Sequence, residues 1–212
     1  RIDLPSEFQT LTGRSHPPSS RMVFNYLRKR GVTEKDILYW KIGYCGSGEY
    51  KNRVILPSFD DEGYCNFFTS RTHDPTTWPP YVNGPGNKDI IFNELLIDWE
   101  REVTLVEGVF DAIVAGENSI PLLGSTLRED SKLFMKIVRN DTSVLLGLDD
   151  DAQKKAMRLV KALLAYDIEV RMMDTSGYKD IGEMPREVFQ RRKEKAPFVD
   201  SDTYLMRVAL SA

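Results

Sequence analysis

The sequence has few of the residues that build disulfide frameworks and zinc sites. Only 2 of its 212 residues are cysteine and 2 are histidine. Neither cysteine belongs to a CxxC pair, and His16, Cys45, Cys65 and His73 lack the spacing of zinc ligands, so no zinc is expected in this chain. No apolar run approaches the roughly 18–20 residues of a membrane span, and no secretory signal opens the chain. We expect a cytoplasmic protein with reduced thiols and no membrane contact.

An excess of positive charge is also missing. The chain carries 29 Lys+Arg and 32 Asp+Glu, with 12 basic and 13 acidic side chains in residues 1–100 and 17 and 19 in residues 101–212. Neither half therefore has the basic excess that binding to a phosphate backbone usually leaves in the composition. A nucleic-acid-binding surface would have to be local. The basic runs at 21–30 and 191–195 are also typical of solvated helix faces.

Residues 1–100 predict a small mixed α+β region. Two helices are expected because apolar residues recur at helical spacing after Ser20 and after Thr33, with Gly31 placed to end the first. Two strands are expected on either side of an acidic turn that ends at Gly63. The lead-in is expected at 1–18, the helices at 19–31 and 33–40, the strands at 53–57 and 64–68, and the long loop at 72–90.

Strands and helices alternate in the rest of the chain, which predicts an α/β fold with a parallel sheet covered on both faces. The expected strands are at 103–106, 119–123, 144–148 and 168–173. The clearest helix spans 152–164, where apolar residues repeat at helical spacing. We therefore expect three parts: 1–100, 101–183, and a helical tail at 184–212 that is either a last helix or a docking segment.

Acidic side chains follow three of these strands. Glu107 ends the first, three consecutive aspartates at 149–151 end the third, and Asp180 with Glu183 follows the last. Adjacent carboxylates raise one another's pKa unless a cation neutralises them. Oxygen-only clusters suit Mg²⁺ or Mn²⁺. Helix capping by Asp150 or Asp151 is the alternative, but it would explain one of these residues and not the whole set.

The order of these motifs resembles a known family. VEGVFD at 106–111, LDDD at 148–151 and KDIGE at 179–183 resemble the three acidic motifs of the TOPRIM fold. The first half resembles the bacterial-type (DnaG-like) primases in YLRKRGVT at 26–33, RVILP at 53–57, FTSR at 68–71 and YVN at 81–83. IPLLGS at 120–125 is closest to tailed-phage primases. The resemblance covers about residues 20–185, in the family's order, and implies an α+β N-terminal subdomain followed by a TOPRIM Rossmann-like sheet.

The resemblance implies roles for nine residues. Two or more Mg²⁺ or Mn²⁺ ions would be held by Glu107, Asp149, Asp151 and Asp180. The first three of these would be catalytic, whereas Asp111 would support the metal ligands rather than bind the ion directly. The groove for template and nucleotide would be lined by Arg53, Arg71, Asn83 and Lys88. One groove charge is absent, because Pro80 stands where the family has lysine.

The implied activity is DNA-directed synthesis of RNA primers for replication. A nucleotide 3′-oxygen would attack the α-phosphate of a second nucleotide and release pyrophosphate, with Glu107 as a metal ligand or as a general base. The implied partners are a single-stranded DNA template, ribonucleoside triphosphates, a replicative helicase and a zinc-binding module absent from this chain. A phage-encoded protein would act in the host-cell cytoplasm. Four aromatic residues are candidates for base stacking: Tyr44, Phe67, Phe68 and Trp78.

Two other functions use the same features. A TOPRIM nuclease would use the acidic cluster to hydrolyse DNA, but the primase-like first half argues against it. A non-catalytic DNA-binding adaptor would need only the fold. Such an adaptor would be expected to lose acidic residues, whereas Glu107, Asp149, Asp151 and Asp180 are all present.

Overall fold

The computed structural model describes residues 1–13, 15–125 and 127–210. The chain forms two compact units, Arg1–Leu95 and Leu96–Ala212. This division lies five residues before the expected boundary at 100/101. The last two residues of the expected tail, 211 and 212, lie outside the described part.

The first unit is built on a five-stranded antiparallel sheet whose strands follow chain order. Its strands are β1 Phe8–Thr10, β2 Gly43–Cys45, β3 Arg53–Phe59, β4 Cys65–Thr72 and β5 Tyr81–Asn83. The helices α1 Arg21–Lys29 and α2 Glu34–Tyr39 lie between β1 and β2, and both were predicted, as was the β3–β4 hairpin. The expectation of an irregular lead-in and a strand-free loop at 72–90 was wrong. Strands β1, β2 and β5 have three residues each, too few to show an alternation of apolar and polar residues.

Local chemistry explains the two helices. At the start of α2, the Thr33 side chain accepts a hydrogen bond from the Asp36 N–H while the Asp36 carboxylate accepts one from the Thr33 N–H, which forms a capping box. Helix α1 buries Val23 and Leu27 against the unit. Gly31 follows α1 with a φ of 74°, a left-handed conformation that glycine adopts without steric cost.

The strand register decides which side chains share a face of this sheet. Arg71 pairs with Val54 and Tyr81, and its neighbour two residues back in β4 pairs with Asn83. Arg53 pairs with Thr72 instead. Because directly paired residues share a face and successive residues alternate, Arg71 and Asn83 project from one face and Arg53 from the other.

The second unit contains a sheet in the order β10-β9-β8-β6-β7. The strands are β6 Val103–Val106, β7 Ser119–Pro121, β8 Val144–Gly147, β9 Val170–Met172 and β10 Phe198–Val199. Strands β6 to β9 are parallel and β10 is antiparallel. The helices are α3 Val109–Ala115, α4 Lys132–Asn140, α5 Gln153–Ala165, α6 Arg186–Lys195 and α7 Ser201–Leu210. All residues of β6 and β8 are buried, which confirms the predicted parallel sheet.

Residues of the expected helical tail contribute α6, β10 and α7 to the second unit. Phe189 in α6 is fully buried, and β10 pairs with the edge of β9. Arg171 in β9 forms a two-pronged ion pair with Glu102, at 2.8 Å for each nitrogen–oxygen contact, and donates to the carbonyl oxygens of Lys193 and Ala196. The tail therefore covers a strand edge that would otherwise be open. None of the helices in the described ranges is long and apolar enough to cross a membrane.

The strand order creates a switch point between β6 and β8. From β6 the chain moves to the outer strand β7, and it then crosses back to add β8 on the other side of β6. Helix α3 packs against α6, and α5 packs against α7. The connections after β6 and β8 diverge, which opens a crevice at their carboxyl ends, where ligands bind in open α/β sheets.

Candidate functional site

Two carboxylates with unsatisfied oxygens lie at this switch point. Glu107 directly follows β6, and Asp149 follows β8 by two residues. Glu107 Oε1 and Asp149 Oδ1 are buried and have no hydrogen-bond partner among the described residues. The other Glu107 oxygen accepts a hydrogen bond from Lys155 Nζ in α5 at 3.0 Å. A buried polar atom without a partner costs free energy, and no contact within the described residues offsets this cost for these two oxygens.

The electrostatics show that the acidic residues act on one another. Burial, followed by the negative charges of Asp111, Glu107, Asp180 and Asp151, raises the pKa of Asp149 to about 7. Burial is also the main reason that the pKa of Asp111 rises to about 6. The sheet therefore brings together the carboxylates that the sequence placed on three separate motifs.

Asp111 is held by backbone groups from two of these motifs. It is buried in the first turn of α3, where one oxygen accepts from Gly108 N at 2.9 Å and the other from Gly182 N at 2.7 Å. A Cβ on Gly182 would lie 3.2 Å from the Asp111 oxygen and from an Asp180 oxygen. This close approach favours glycine at that position. Both Asp111 oxygens are engaged, a geometry that suits a supporting role.

The remaining acidic residues differ in their contacts. Asp180 accepts from the Glu183 N–H at 3.0 Å and so caps the short 3-10 helix Ile181–Glu183. Asp151 is exposed, and Asp150 accepts from the Thr175 hydroxyl at 3.2 Å. Helix α5 begins at Gln153 behind a 3-10 turn, and no side chain caps either element. Helix capping therefore does not account for the three aspartates.

The carboxylates near the switch point are potential ligands for a divalent cation. Within the described ranges, no three His, Cys, Asp or Glu side chains converge closely enough to enclose a metal ion. Mg²⁺ usually keeps several waters and binds one or two carboxylates plus substrate phosphates, so it does not require such a cage. Two buried, unpartnered carboxylate oxygens are hard donors of the kind it prefers. The residues present fit such an ion.

The four predicted groove residues of the first unit have different environments. Arg53 is buried and donates to the carbonyl oxygens of Pro79 at 2.8 Å and Pro80 at 3.2 Å. Arg71 donates from Nε to the Tyr26 hydroxyl at 3.1 Å. Asn83 and Lys88 are exposed. The structure thus gathers Arg71 and Asn83 on one face but turns Arg53 to the other, where it braces the Pro79–Pro80 backbone.

Sequence reasoning missed several residues of these regions. Lys155 pairs with Glu107 from 48 positions away, and no local pattern signals such a contact. At Gly147 a Cβ would lie 2.8 Å from Ile181 Cδ1, so a larger residue there would force the end of that side chain to shift. Of the aromatic stacking candidates, Trp78 is 85% exposed. The other three, each at most 2% exposed, belong to the core: Tyr44, Phe67 and Phe68.

Comparisons with curated proteins point to primases. No family model matches the chain. A DNA primase of Thermotoga maritima is 24% identical over 226 aligned positions, covering 82% of this chain and 38% of the relative. A DNA primase of Campylobacter jejuni is 27% identical over 210 positions, covering 76% of this chain and 34% of the relative. The chain thus spans less than two fifths of these relatives' length.

Solved structures match over most of the chain. A DnaG primase catalytic domain bound to single-stranded DNA superimposes with a TM-score of 0.74 and 18% identity, covering 91% of this chain and 76% of that one. A DNA primase domain from Pseudomonas aeruginosa gives 0.72 and 20%, covering 92% and 78%. The zinc-binding and RNA polymerase domains of Aquifex aeolicus primase give 0.70 and 21%, covering 84% and 57%. The chain has the fold of a DnaG primase catalytic core.

Proposed function

We propose that this chain is the RNA polymerase core of a DnaG-type DNA primase, in the branch of the tailed-phage enzymes. It synthesises short RNA primers on single-stranded DNA from ribonucleoside triphosphates, in the cytoplasm of the cell where replication occurs. The fold of the solved primase cores and the curated relatives named DNA primase support this proposal. The observation that carries it is the pair of buried, unpartnered oxygens on Glu107 and Asp149 at the switch point.

The TOPRIM-like edge of the second unit holds the chemistry in this proposal. Glu107 and Asp149 offer their unpartnered oxygens to Mg²⁺ or Mn²⁺, with Asp151 and Asp180 as further ligands. Such ions supply a lowered pKa at the attacking 3′-hydroxyl and neutralise charge on the transferring phosphoryl group. The Lys155 ammonium, 3.0 Å from Glu107, orients that carboxylate and balances part of its charge in the free protein.

Asp111 is a positioning residue in this scheme. Its carboxylate ties the Gly108 and Gly182 amides together, and these amides neighbour Glu107 and lie within the third acidic motif. The loop after β6 and the loop bearing Asp180 are thereby fixed relative to each other. A side chain that holds two ligand-bearing loops determines how accurately the ligands are placed.

The first unit supplies the residues proposed for template and nucleotide. Arg71 keeps its terminal guanidinium nitrogens without a carboxylate partner among the described residues, and such a fork matches phosphate geometry. Asn83 lies on the same face, and Lys88 is exposed farther along the chain. Arg53 is proposed to act through the backbone that it braces. The DNA-bound neighbours support a DNA template, and the Aquifex structure supports a separate zinc-binding module. A replicative helicase is proposed from the resemblance alone.

The test is primer synthesis on single-stranded DNA with labelled ribonucleotides and Mg²⁺ or Mn²⁺. The parent should make short metal-dependent oligoribonucleotides, and Asp149→Ala should make none. Asp202→Ala provides the matched control, because Asp202 is exposed in α7. A zinc-binding module from a primase is added in a second series, so that the absence of that module is not read as an inactive core.

The same reactions separate the alternatives. Template cut by the parent and spared by Asp149→Ala would replace primase with nuclease. Neither primers nor cut template, with the zinc-binding module present, would contradict catalysis and leave a DNA-binding adaptor. Direct metal binding, measured by calorimetry on the parent and on Asp149→Ala, tests the ligand assignment independently of turnover.

A further inference from the structure

The first unit carries an exposed tryptophan beside a cationic pocket. Trp78 is 85% exposed, whereas Trp40, also in this unit, is a core residue with 4% exposure. Trp78 lines a pocket of about 360 Å³ together with Tyr26 and Lys29 from α1 and with Arg71 and His73 from the end of β4. Single exposed apolar side chains are common on protein surfaces, so the observation that matters is that this aromatic face borders a pocket that also contains cations.

The backbone that carries Trp78 is held firmly. Arg53 donates to the Pro79 and Pro80 carbonyl oxygens, and Thr72 N donates to the Pro80 oxygen at 3.0 Å. On the other side, the Asp74 carboxylate accepts from the Thr76 and Thr77 hydroxyls at 2.7 and 3.1 Å. The segment is thus anchored at both ends. A fixed aromatic platform loses little conformational entropy on binding.

The cations at this pocket are also pre-arranged. The Tyr26 hydroxyl accepts from Arg71 Nε at 3.1 Å and from Arg30 Nε at 2.9 Å, and the Arg71 guanidinium lies 4.7 Å from the Tyr81 ring centroid. Lys29 is exposed and forms no ion pair within the described part of the chain. Asp74 is the acidic residue of the lining, and its carboxylate keeps its negative charge because the hydrogen bonds from Thr76 lower its pKa. Lys29 and Arg71 outnumber this one carboxylate, so the pocket presents net positive charge next to an aromatic face.

We propose that this pocket binds a nucleobase with its adjoining phosphate, with Trp78 stacking on the base and Lys29 and Arg71 holding the phosphate. His73 also lines the pocket, and its buried Nδ1 is unpartnered among the described residues. Stacking with nearby cations is the usual means of binding single strands without sequence preference. The proposal deepens the proposed function, on which it rests, by adding Trp78 and Lys29 to the nucleic-acid surface.

The test is direct binding of a short fluorescently labelled oligothymidylate, without metal or ribonucleotides. Trp78→Ala should weaken binding about fivefold to a hundredfold, the range measured for loss of one stacked base, whereas Trp78→Phe should stay within about threefold because a phenyl ring still stacks. Tyr64→Ala is the matched control, since Tyr64 is an exposed aromatic residue of the same unit. Tryptophan fluorescence should be quenched by the oligonucleotide in the parent but not in Trp78→Phe.

The phosphate contact is tested through salt dependence. Lys29→Ala should reduce the slope of log affinity against log salt by about 0.7, as expected for one phosphate on a single strand. Lys35→Ala, an exposed lysine of α2, should leave the slope unchanged. Titration with thymidine monophosphate separates the two sources of the ligand. Saturable quenching by thymidine monophosphate would show that the pocket binds a free nucleotide. Quenching by the oligonucleotide alone would show that it binds a nucleic-acid strand.

Equal binding by Trp78→Ala and Tyr64→Ala would contradict the proposal that a base stacks on Trp78. This outcome is independent of polymerase activity, since no metal or ribonucleotide is present. A chain that makes primers while Trp78→Ala binds normally refutes the platform alone. A chain that makes no primers while Trp78→Ala loses binding refutes the primase proposal and retains the platform.

Discussion

The charged side chains of the β3–β4 hairpin and those at the carboxyl edge of the parallel sheet are held in opposite ways. In the first unit, Arg53 and Arg71 at β3 and β4 are held by backbone carbonyls and a tyrosine hydroxyl. In the second unit, Glu107 and Asp149 each keep a buried oxygen without a partner in the described structure. The difference separates side chains that support the fold from side chains that the fold carries at an energetic cost.

The contrast is not a property of acidic residues in general. Glu102, also in the second unit, makes a two-pronged pair with Arg171, and Asp111 engages both oxygens with backbone amides. Unsatisfied oxygens occur only where β6 and β8 end, as far as the described acidic residues are concerned. Their location at the switch point, rather than their residue type, makes them candidates for catalysis.

The largest expected effect comes from neutralising one member of the unsatisfied pair. Glu107→Gln should reduce primer synthesis at least about a hundredfold. Even substitutions of residues that only hydrogen-bond to metal ligands lower metal affinity or activity about 10- to 100-fold. Glu117→Gln is the matched control, since Glu117 is exposed in the turn after α3. Primer yield from the two variants is compared at equal protein concentration. Similar yields would remove Glu107 from the site.

The next effect tests a satisfied pair in the same unit. Arg171→Met should lower the free energy of unfolding by about 2–3 kcal/mol, because it leaves the half-buried Glu102 without its partner and frees the carbonyls of the tail. The Arg128–Asp130 pair is exposed, with side chains 72% and 68% accessible, so Arg128→Met should lower the free energy of unfolding far less than Arg171→Met. Urea unfolding measures both. Equal costs would mean that the tail is held by β10 pairing alone.

A smaller effect, of opposite sign, is expected at Asp149. In chelator, Asp149→Asn should raise the free energy of unfolding by about 1–2 kcal/mol, since it removes a carboxylate that is buried and also repelled by its acidic neighbours. A pKa raised to about 7 in the folded chain, against about 3.9 when unfolded, means that the penalty is absent at low pH and complete above pH 7. The comparison is therefore made at pH 8.

Asp151→Asn provides the control for that measurement. Asp151 is exposed, so solvent screens its charge and the change should stay within about 0.5 kcal/mol. Added Mg²⁺ should reverse the order of the parent and Asp149→Asn. A parent that is already more stable than Asp149→Asn in chelator would show that the repulsion is relieved by another contact.

The sequence predicted the parts of the fold that depend on repeated local patterns. The four apolar residues of β8 and the helical spacing in α5 led directly to a buried parallel sheet, and the turn ending at Gly63 located the β3–β4 hairpin. Three-residue strands such as β1 carry no periodicity, so they form only when a neighbouring strand supplies partners. The strand β10 within the expected tail was not predicted for the same reason, because it owes its conformation to pairing with β9.

The candidate site divides in a similar way. Strand-end carboxylates such as Glu107 were predictable because parallel strands end at one edge. The Lys155–Glu107 and Asp111–Gly182 contacts depend on how α5 and the third motif pack, which no spacing reveals. Arg53 shows the converse case. Its motif predicts a groove residue, which stays a prediction, and the register of β3 against β4 turns its side chain to the opposite face from Arg71.

The smallest expected effect tests how firmly the first unit holds its cations. Tyr26→Phe removes the hydroxyl that accepts from both Arg71 and Arg30 and should cost about 0.5–1 kcal/mol of stability, the usual net value of a hydrogen bond. Single-stranded DNA affinity should fall about threefold, because Arg71 would lose one of its two fixed contacts. Tyr64→Phe is the matched control, since no hydrogen bond to the Tyr64 hydroxyl occurs among the described residues. Unchanged affinity in Tyr26→Phe would mean that stacking on Tyr81 alone positions Arg71. The contrast between the two units would then rest on the carboxylates of the second unit.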